Sequence, residues 1–146
     1  FSDDGENGTG QWTATGTWGL QDVPGHGKVW TDSPYSDYGY KENSTLTSKP
    51  FSLVGFKNPQ LRFDARYDLE ITFDNVALEA STDGKEWKKL DNFNLLKGWE
   101  KHEYDLTPYA GGPLQLRFHL TTDDDVNLDG FYFDNLVVSE KAQPQA

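Results

Sequence analysis

This chain has no cysteine and no methionine, and two stretches toward its ends, residues 1–27 and 120–139, carry no lysine or arginine. Without cysteine there is neither a disulfide framework nor a thiolate for catalysis or soft-metal binding. No apolar run approaches the length of a membrane span. Helical periodicity is missing too, apart from residues 106–110, where one turn of helix would end at Gly111-Gly112-Pro113. Catalytic signatures are equally scarce. His26, His102 and His119 are scattered, and neither H-E-x-x-H nor G-x-S-x-G occurs. Carboxylates abound, so two-carboxylate glycoside chemistry is compatible with the composition, but nothing singles out a pair.

The missing positive charge makes the ends informative. Over residues 1–27 the only acidic or basic groups other than His26 are Asp3, Asp4, Glu6 and Asp22; over 120–139 they are Asp123, Asp124, Asp125, Asp129 and Asp134. Uncompensated carboxylates repel one another, and bringing them together costs free energy unless a proton or a cation intervenes. A hard, oxygen-seeking ion such as calcium is the natural neutraliser if the fold joins the two ends. The overall net charge of -11 argues against nucleic acid and anionic membrane surfaces as partners.

The 146 residues suit one domain with a real core, and five Trp, seven Tyr and nine Phe argue against disorder despite a mean hydropathy of -0.76. From Leu61 onward to residue 73, apolar and polar residues alternate strictly, the mark of a strand with one buried face. The run is long for one strand, which predicts a bend near residues 69–71. Residues 114–121 repeat the pattern, and Val76, Leu78 and Ala80 form another inward set. Asp83-Gly84, between that set and residues 87–90, predicts a hairpin. Further strands are expected at 11–18, 28–31, 44–47, 100–104 and 131–139. Fourteen Gly and seven Pro supply the turns. The sum is an all-β, antiparallel two-sheet β-sandwich, jelly-roll-like, over residues 1–140, with 141–146 as tail or linker. A first residue that is not Met, and this tail, suggest a domain cut from a larger or processed protein.

Three constellations are candidates for a site. Asp125-Val-Asn127-Leu-Asp129-Gly130 matches the opening of a calcium loop, although an Asp-rich turn made by Asp129-Gly130 explains it equally well. If the first and last strands are neighbours, Asp4 and Glu6 lie near Asp134 and calcium would staple them. If the two alternating strands share a sheet, then Arg66, Asp68, Glu70, Arg117 and His119 line one wet face, either laced with cross-strand ion pairs or suited to a sugar or partner domain. Loop aromatics around Tyr35–Tyr40 offer rings that could stack on sugars, whereas Trp18, Trp30 and Trp87 are read as core or core-edge.

Several stretches, FSDDGENGTGQWTATGTW at the start, WTDSP at 30–34, STLTS at 44–48, YDLE at 67–70, STDG at 81–84, DLTPYAG at 105–111, LRFHLTTD at 116–123 and DGFYFDNLV at 129–137, run in order along nearly the whole chain. Together they resemble a MAM-like module of secreted bacterial peptidases of the immune inhibitor A type. The resemblance implies a jelly-roll-like sandwich, commonly calcium-bearing, that accompanies a catalytic domain without being one. It aligns the family's acidic first-strand residue with Glu6, the last-strand one with Asp134, and the WTDSP aspartate with Asp32. Where the family often has Asp-Asp, this chain has Asp134-Asn135, one charge fewer. The resulting expectation is a non-catalytic, calcium-stabilised accessory module, secreted or at the cell surface, touching neighbouring domains of its parent. Asp4, Glu6, Asp32 and Asp134 are the first-choice ligands, and Asp125 and Asp129 the second. The competing expectation is a carbohydrate-binding module.

Overall fold

The alternation in the sequence becomes two strands that carry the core. In β7 (Pro59–Leu69), Leu61, Phe63 and Ala65 are buried between half-buried polar neighbours, and in β11 (Pro113–Thr121), Leu114, Leu116, Phe118 and Leu120 do the same. The computed structural model describes residues 1–3, 5–6, 10–35, 38–39, 42–69, 74–123 and 128–141. The remaining strands are β1 (Ser2–Asp3), β2 (Trp12–Ala14), β3 (Gly19–Val23), β4 (Gly27–Thr31), β5 (Asn43–Ser48), β6 (Phe51–Ser52), β8 (Asn75–Ser81), β9 (Lys88–Phe93), β10 (Leu95–Asp105) and β12 (Gly130–Glu140).

They form two antiparallel sheets, a jelly-roll-like sandwich. One has the order β10-β7-β12-β4-β3, with β1 added alongside β12; the other has the order β2-β5-β11-β8-β9, with β6 on β11. Phe63 and Phe133 from the first sheet meet Phe118 from the second, at ring-centroid distances of 5.5 and 4.3 Å. Burying each such ring contributes about 1.5–3 kcal/mol, so this seam fixes how the sheets face one another. Trp12, Trp18 and Trp30 close one side of it.

The first and last strands are neighbours, as expected: Ser2 lies opposite Val137 and Asp3 opposite Leu136. The Ser81–Gly84 segment does turn β8 into β9, though through a longer connection than a two-residue hairpin, with Ser81 Oγ and Asp83 Oδ1 accepting the loop amides. The predicted helical turn is a 3-10 turn at Thr107–Tyr109. Only Trp12–Ala14 of the long strand expected at 11–18 is extended, because positive-φ Gly16 bends the chain away.

One expectation fails. β7 and β11 belong to different sheets, so Arg66 and Asp68 stand on one outer face of the sandwich while Arg117 and His119 stand on the other. Period-two alternation declares that a strand has one buried face; it does not say which sheet that strand joins.

Candidate functional site

The acidic N-terminus is drawn onto the start of β4 and the bulge of β12. Asp3 is buried and accepts the indole N–H groups of Trp12 at 2.6 Å and Trp30 at 2.9 Å, plus the Gly5 amide at 2.8 Å. It is therefore a structural anchor. Glu6 follows it, and its carboxylate accepts the Lys28 amide at 2.8 Å. The carboxylate rests so closely on Gly27 that a Cβ there would lie 2.6 Å from Glu6 Oε1.

Asp64 and Asp134 are directly opposite on β7 and β12. Phe63, Ala65 and Phe133 point inward, so both carboxylates leave the sheet on its outer face, where like charges in register repel. Asn135, at positive φ in the bulge, donates its side-chain amide to Asp64 Oδ2 at 3.0 Å. Asp134 is only 3% exposed. Its carboxyl is pushed up to about 6, chiefly by burial, with the Asn135 amide and His26 opposing and Glu6 and Asp64 adding to the rise. His26 Nδ1 stands 4.0 Å from Asp134 Oδ2, and its ring stacks on Trp99 at 4.1 Å. Thus Glu6, Asp64 and Asp134 share one negative field, roofed by a His–Trp pair.

Asp32 is elsewhere. It follows Trp30 by two residues and, like it, points between the sheets. It is fully buried, with Ser33 Oγ donating at 2.7 Å and the Phe131 amide at 3.1 Å. Desolvation raises its carboxyl to about 7, and Glu42 and Asp129 add to the rise. The resemblance groups Asp32 with Glu6 and Asp134; the structure gives Asp32 surroundings of its own, with Ser33 and the Phe131 amide.

Asp129 pairs with Arg66 at 2.9 Å and accepts Tyr132 Oη at 2.6 Å, while the Arg66 guanidinium lies 4.5 Å over the Tyr132 ring. Beside them is a cleft of about 330 Å3 lined by Arg66, Asp68, Leu96, Lys97 and Asp129. On the opposite outer face Arg117 pairs with Glu79 at 2.9 Å and covers Trp87 at 4.2 Å. His119 stands 3.4 Å from the same Glu79 and contacts Asn43. That face is a set of cross-strand pairs, satisfied internally. Asp4, Glu70 and Asp125 lie outside the described residues. Among the described residues no three His, Asp or Glu side chains converge closely enough to form a metal cluster by themselves, so any ion would draw on backbone and neutral oxygens as well.

Two peptidases contain a segment similar to this chain. Bacillopeptidase F of Bacillus subtilis is 28% identical over 157 residues, which take in 97% of this chain and 11% of that protein. Immune inhibitor A of Bacillus thuringiensis subsp. alesti is 29% identical over 111 residues, 69% of this chain and 16% of that protein. The chain thus spans less than a fifth of the length of these curated relatives. No family model matches it. Among solved structures, a cleaved adhesin domain of Lys-gingipain from Porphyromonas gingivalis superposes with a TM-score of 0.68 at 15% identity, covering 97% of this chain and 98% of that one. TmCBM61 in complex with beta-1,4-galactotriose gives 0.65 at 9% identity, covering 95% and 94%. The likeness to adhesin and carbohydrate-binding domains establishes a shared β-sandwich fold.

Sequence reasoning gave no role to Asp3 or Glu42, and it placed Asp64 on a wet strand face without its partner. Asp3 has partners nine and 27 positions away, so only its place in a segment lacking cations hinted at it. Asp64 was legible as an outward strand residue but not as the register partner of Asp134. Glu42 carries no local signal for its effect on Asp32, whose carboxyl its charge helps to raise.

Proposed function

We propose that this chain is a non-catalytic, MAM-like accessory module of a secreted or cell-surface multidomain peptidase, stabilised by calcium at Glu6 and Asp134. The observation that carries the reading is its nearly end-to-end likeness to a small part of a peptidase. The carboxylates of Glu6, Asp64 and Asp134, sharing one field with a single histidine near them, supply the chemistry: hard oxygen donors at the junction of first and last strands suit calcium. An ion there would tie β1 and the N-terminal segment to β12. The module's partners would be neighbouring domains of its parent.

The test is a thermal melt in EDTA and again in millimolar calcium, with magnesium as control. A hundredfold excess over the dissociation constant adds about 2.7 kcal/mol, or roughly 5–10 °C for a domain of this size. Identical curves would sink the calcium part of the proposal.

A second reading has its own observation. The cleft beside Arg66 combines an exposed Leu96 with charged groups of both signs, a lining suited to a sugar's apolar face and hydroxyl rim, and a solved neighbour binds galactotriose. Isothermal titration with β-1,4-galactan and xylan oligosaccharides tests it. Heat of binding that disappears in Arg66→Ala would favour the carbohydrate reading, and absence of heat with both would remove it.

A further inference from the structure

The sequence predicts Trp87 at the core or its edge, and the structure places it outside. Trp12, Trp18 and Trp30 are buried in the core, whereas Trp87 is half-buried and belongs neither to the core nor to the residues packed against it. A row of charged groups holds its ring at the surface. The Arg117 guanidinium lies 4.2 Å from the indole centre. It is fixed in turn by Glu79, its register partner on β8, with Nε and Nη2 both 2.9 Å from Glu79 Oε1. His119 stands 3.4 Å from the same oxygen. A cation over an indole face is attracted by the ring quadrupole, so the ring is oriented before any ligand arrives.

Trp87 also borders a cleft of about 230 Å3 between the β8–β9 connection and the 3-10 turn, together with Tyr109, Thr82, Asp83, Glu86 and Lys88. Both walls are tied down. Asp83 Oδ1 accepts the Lys85 and Glu86 amides at 2.8 and 3.0 Å, and Ser81 Oγ accepts the Gly84 amide at 2.8 Å. On the other wall the Tyr109 amide donates at 2.9 Å to the carbonyl of Leu106, which is fully buried. The amides of Glu86 and Lys85 hold the Asp83 carboxyl below the usual carboxylate range, so it is ionised. Its second oxygen, Oδ2, has no hydrogen-bond partner among the described residues. With Asp83 and Glu86 against Lys88, the rim is net negative.

We propose that this cleft binds the terminal residue of an uncharged glycan, with the apolar face of the sugar on Trp87 and its hydroxyls on Asp83 and Glu86. A pyranose ring matches both parts of the lining: its C–H groups pack on an aromatic face, and its hydroxyls donate to carboxylates. The acidic rim repels uronates, sulfated sugars and phosphates. The cleft is smaller than the roughly 300–1,000 Å3 of ordinary ligand pockets, so it takes one ring at the end of a glycan and not a run of them. Because Arg117 and Arg66 stand on opposite outer faces of the sandwich, the site is separate from the cleft beside Arg66. It rests neither on that second reading nor on calcium.

The test titrates the unmodified chain with lactose, cellobiose and mannobiose, and with digalacturonate as the charged control, while NMR follows the tryptophan indole N–H signals. The signal missing from Trp87→Phe belongs to Trp87. At least one uncharged disaccharide should shift that signal and leave those of Trp12, Trp18 and Trp30 in place, and digalacturonate should not shift it. Trp87→Phe, which keeps a ring, should retain weakened binding. Trp87→Ala should lose about thirtyfold or more in affinity, the hot-spot cost of truncating a central aromatic, with the core indole signals confirming that it folds. Arg66→Ala should bind as the unmodified chain does. A Trp87 signal unmoved by every disaccharide would overturn the proposal, and so would full affinity in Trp87→Ala. Binding that is lost in Arg66→Ala but kept in Trp87→Ala would refute this site and uphold the other cleft.

Discussion

Asp3 offers the sharpest energetic test, because its three donors are split unequally between its two oxygens. Oδ2 takes both indoles, from Trp12 and Trp30, and Oδ1 takes the Gly5 amide. Asp3→Ala leaves all three buried donors without an acceptor, each costing about 1–3 kcal/mol. Part of that is recovered because the carboxylate no longer has to be desolvated and water enters the vacated space, so the net loss should be about 3–5 kcal/mol. Melting should then drop by roughly 8–15 °C. Asp3→Asn can turn its carbonyl to the two indoles and set its amide against the Gly5 N–H, one donor–donor conflict, for about 1–3 kcal/mol. The assay is urea denaturation followed by tryptophan fluorescence, with Trp12→Phe made alone and in the Asp3→Ala background. The indole substitution should cost less once its acceptor is gone. Asp3→Ala within about 1 kcal/mol of the unmodified chain, or Asp3→Asn costing as much as Asp3→Ala, would refute this division of hydrogen bonds.

Other outcomes follow from the same geometry. Asp32 and Asp134 hold a proton more tightly folded than unfolded, with carboxyls near 7 and 6 against an ordinary 3.8. Their contribution to stability is complete below about pH 4 and is lost as pH rises through 6 to 7, so melts in EDTA should fall between pH 5 and pH 8 and flatten in Asp32→Asn. Gly130→Ala should cost about 2–4 kcal/mol in denaturation, since φ is +102° and the new Cβ would press on Asp32 Oδ1 at 2.2 Å. Arg66→Ala removes a half-exposed ion pair and should change stability by less than about 1 kcal/mol, so any loss of galactan binding in that variant reports on the cleft. Phe63→Ala, at the seam between the sheets, should cost about 3–5 kcal/mol in the same assay.

The extent to which this molecule is legible from its sequence depends on how far apart the deciding residues are. Leu61, Phe63 and Ala65 announce their strand because the pattern that buries them is local, and the same holds for Leu114–Leu120. Which sheet each strand joins is decided by pairings such as Arg117 with Glu79 and Asp134 with Asp64, between residues 38 and 70 positions apart, and alternation is silent there. The site divides in the same way. The stretches free of lysine and arginine, 1–27 and 120–139, were visible, and the sandwich architecture suggested the meeting of first and last strands that Ser2 and Val137 show. That Asp3 would be consumed by two indoles, and that Asp32 would turn inward to accept the Phe131 amide, depended on side-chain direction after the strands had paired, which no spacing records.

The pairing of β1 with β12 also sets how the module responds to load. Phe1 O accepts the Val138 amide at 2.8 Å, and Lys141 N donates to Asn58 O at 2.8 Å, so the chain enters and leaves side by side. Tension applied through Phe1 and Lys141 would therefore pull two antiparallel strands apart from their adjacent ends. The bonds would open in succession, as in a zipper, where shear would load them all at once. Ser2 and then Asp3 would peel first, freeing the indoles of Trp12 and Trp30 while the β10-β7-β12 sheet stays paired. A module strung between other domains in this way adds almost no length to the array until it is pulled. Its N-terminal segment is then the weak link, and a cation bound by Glu6 and Asp134 would raise the force at which that link gives.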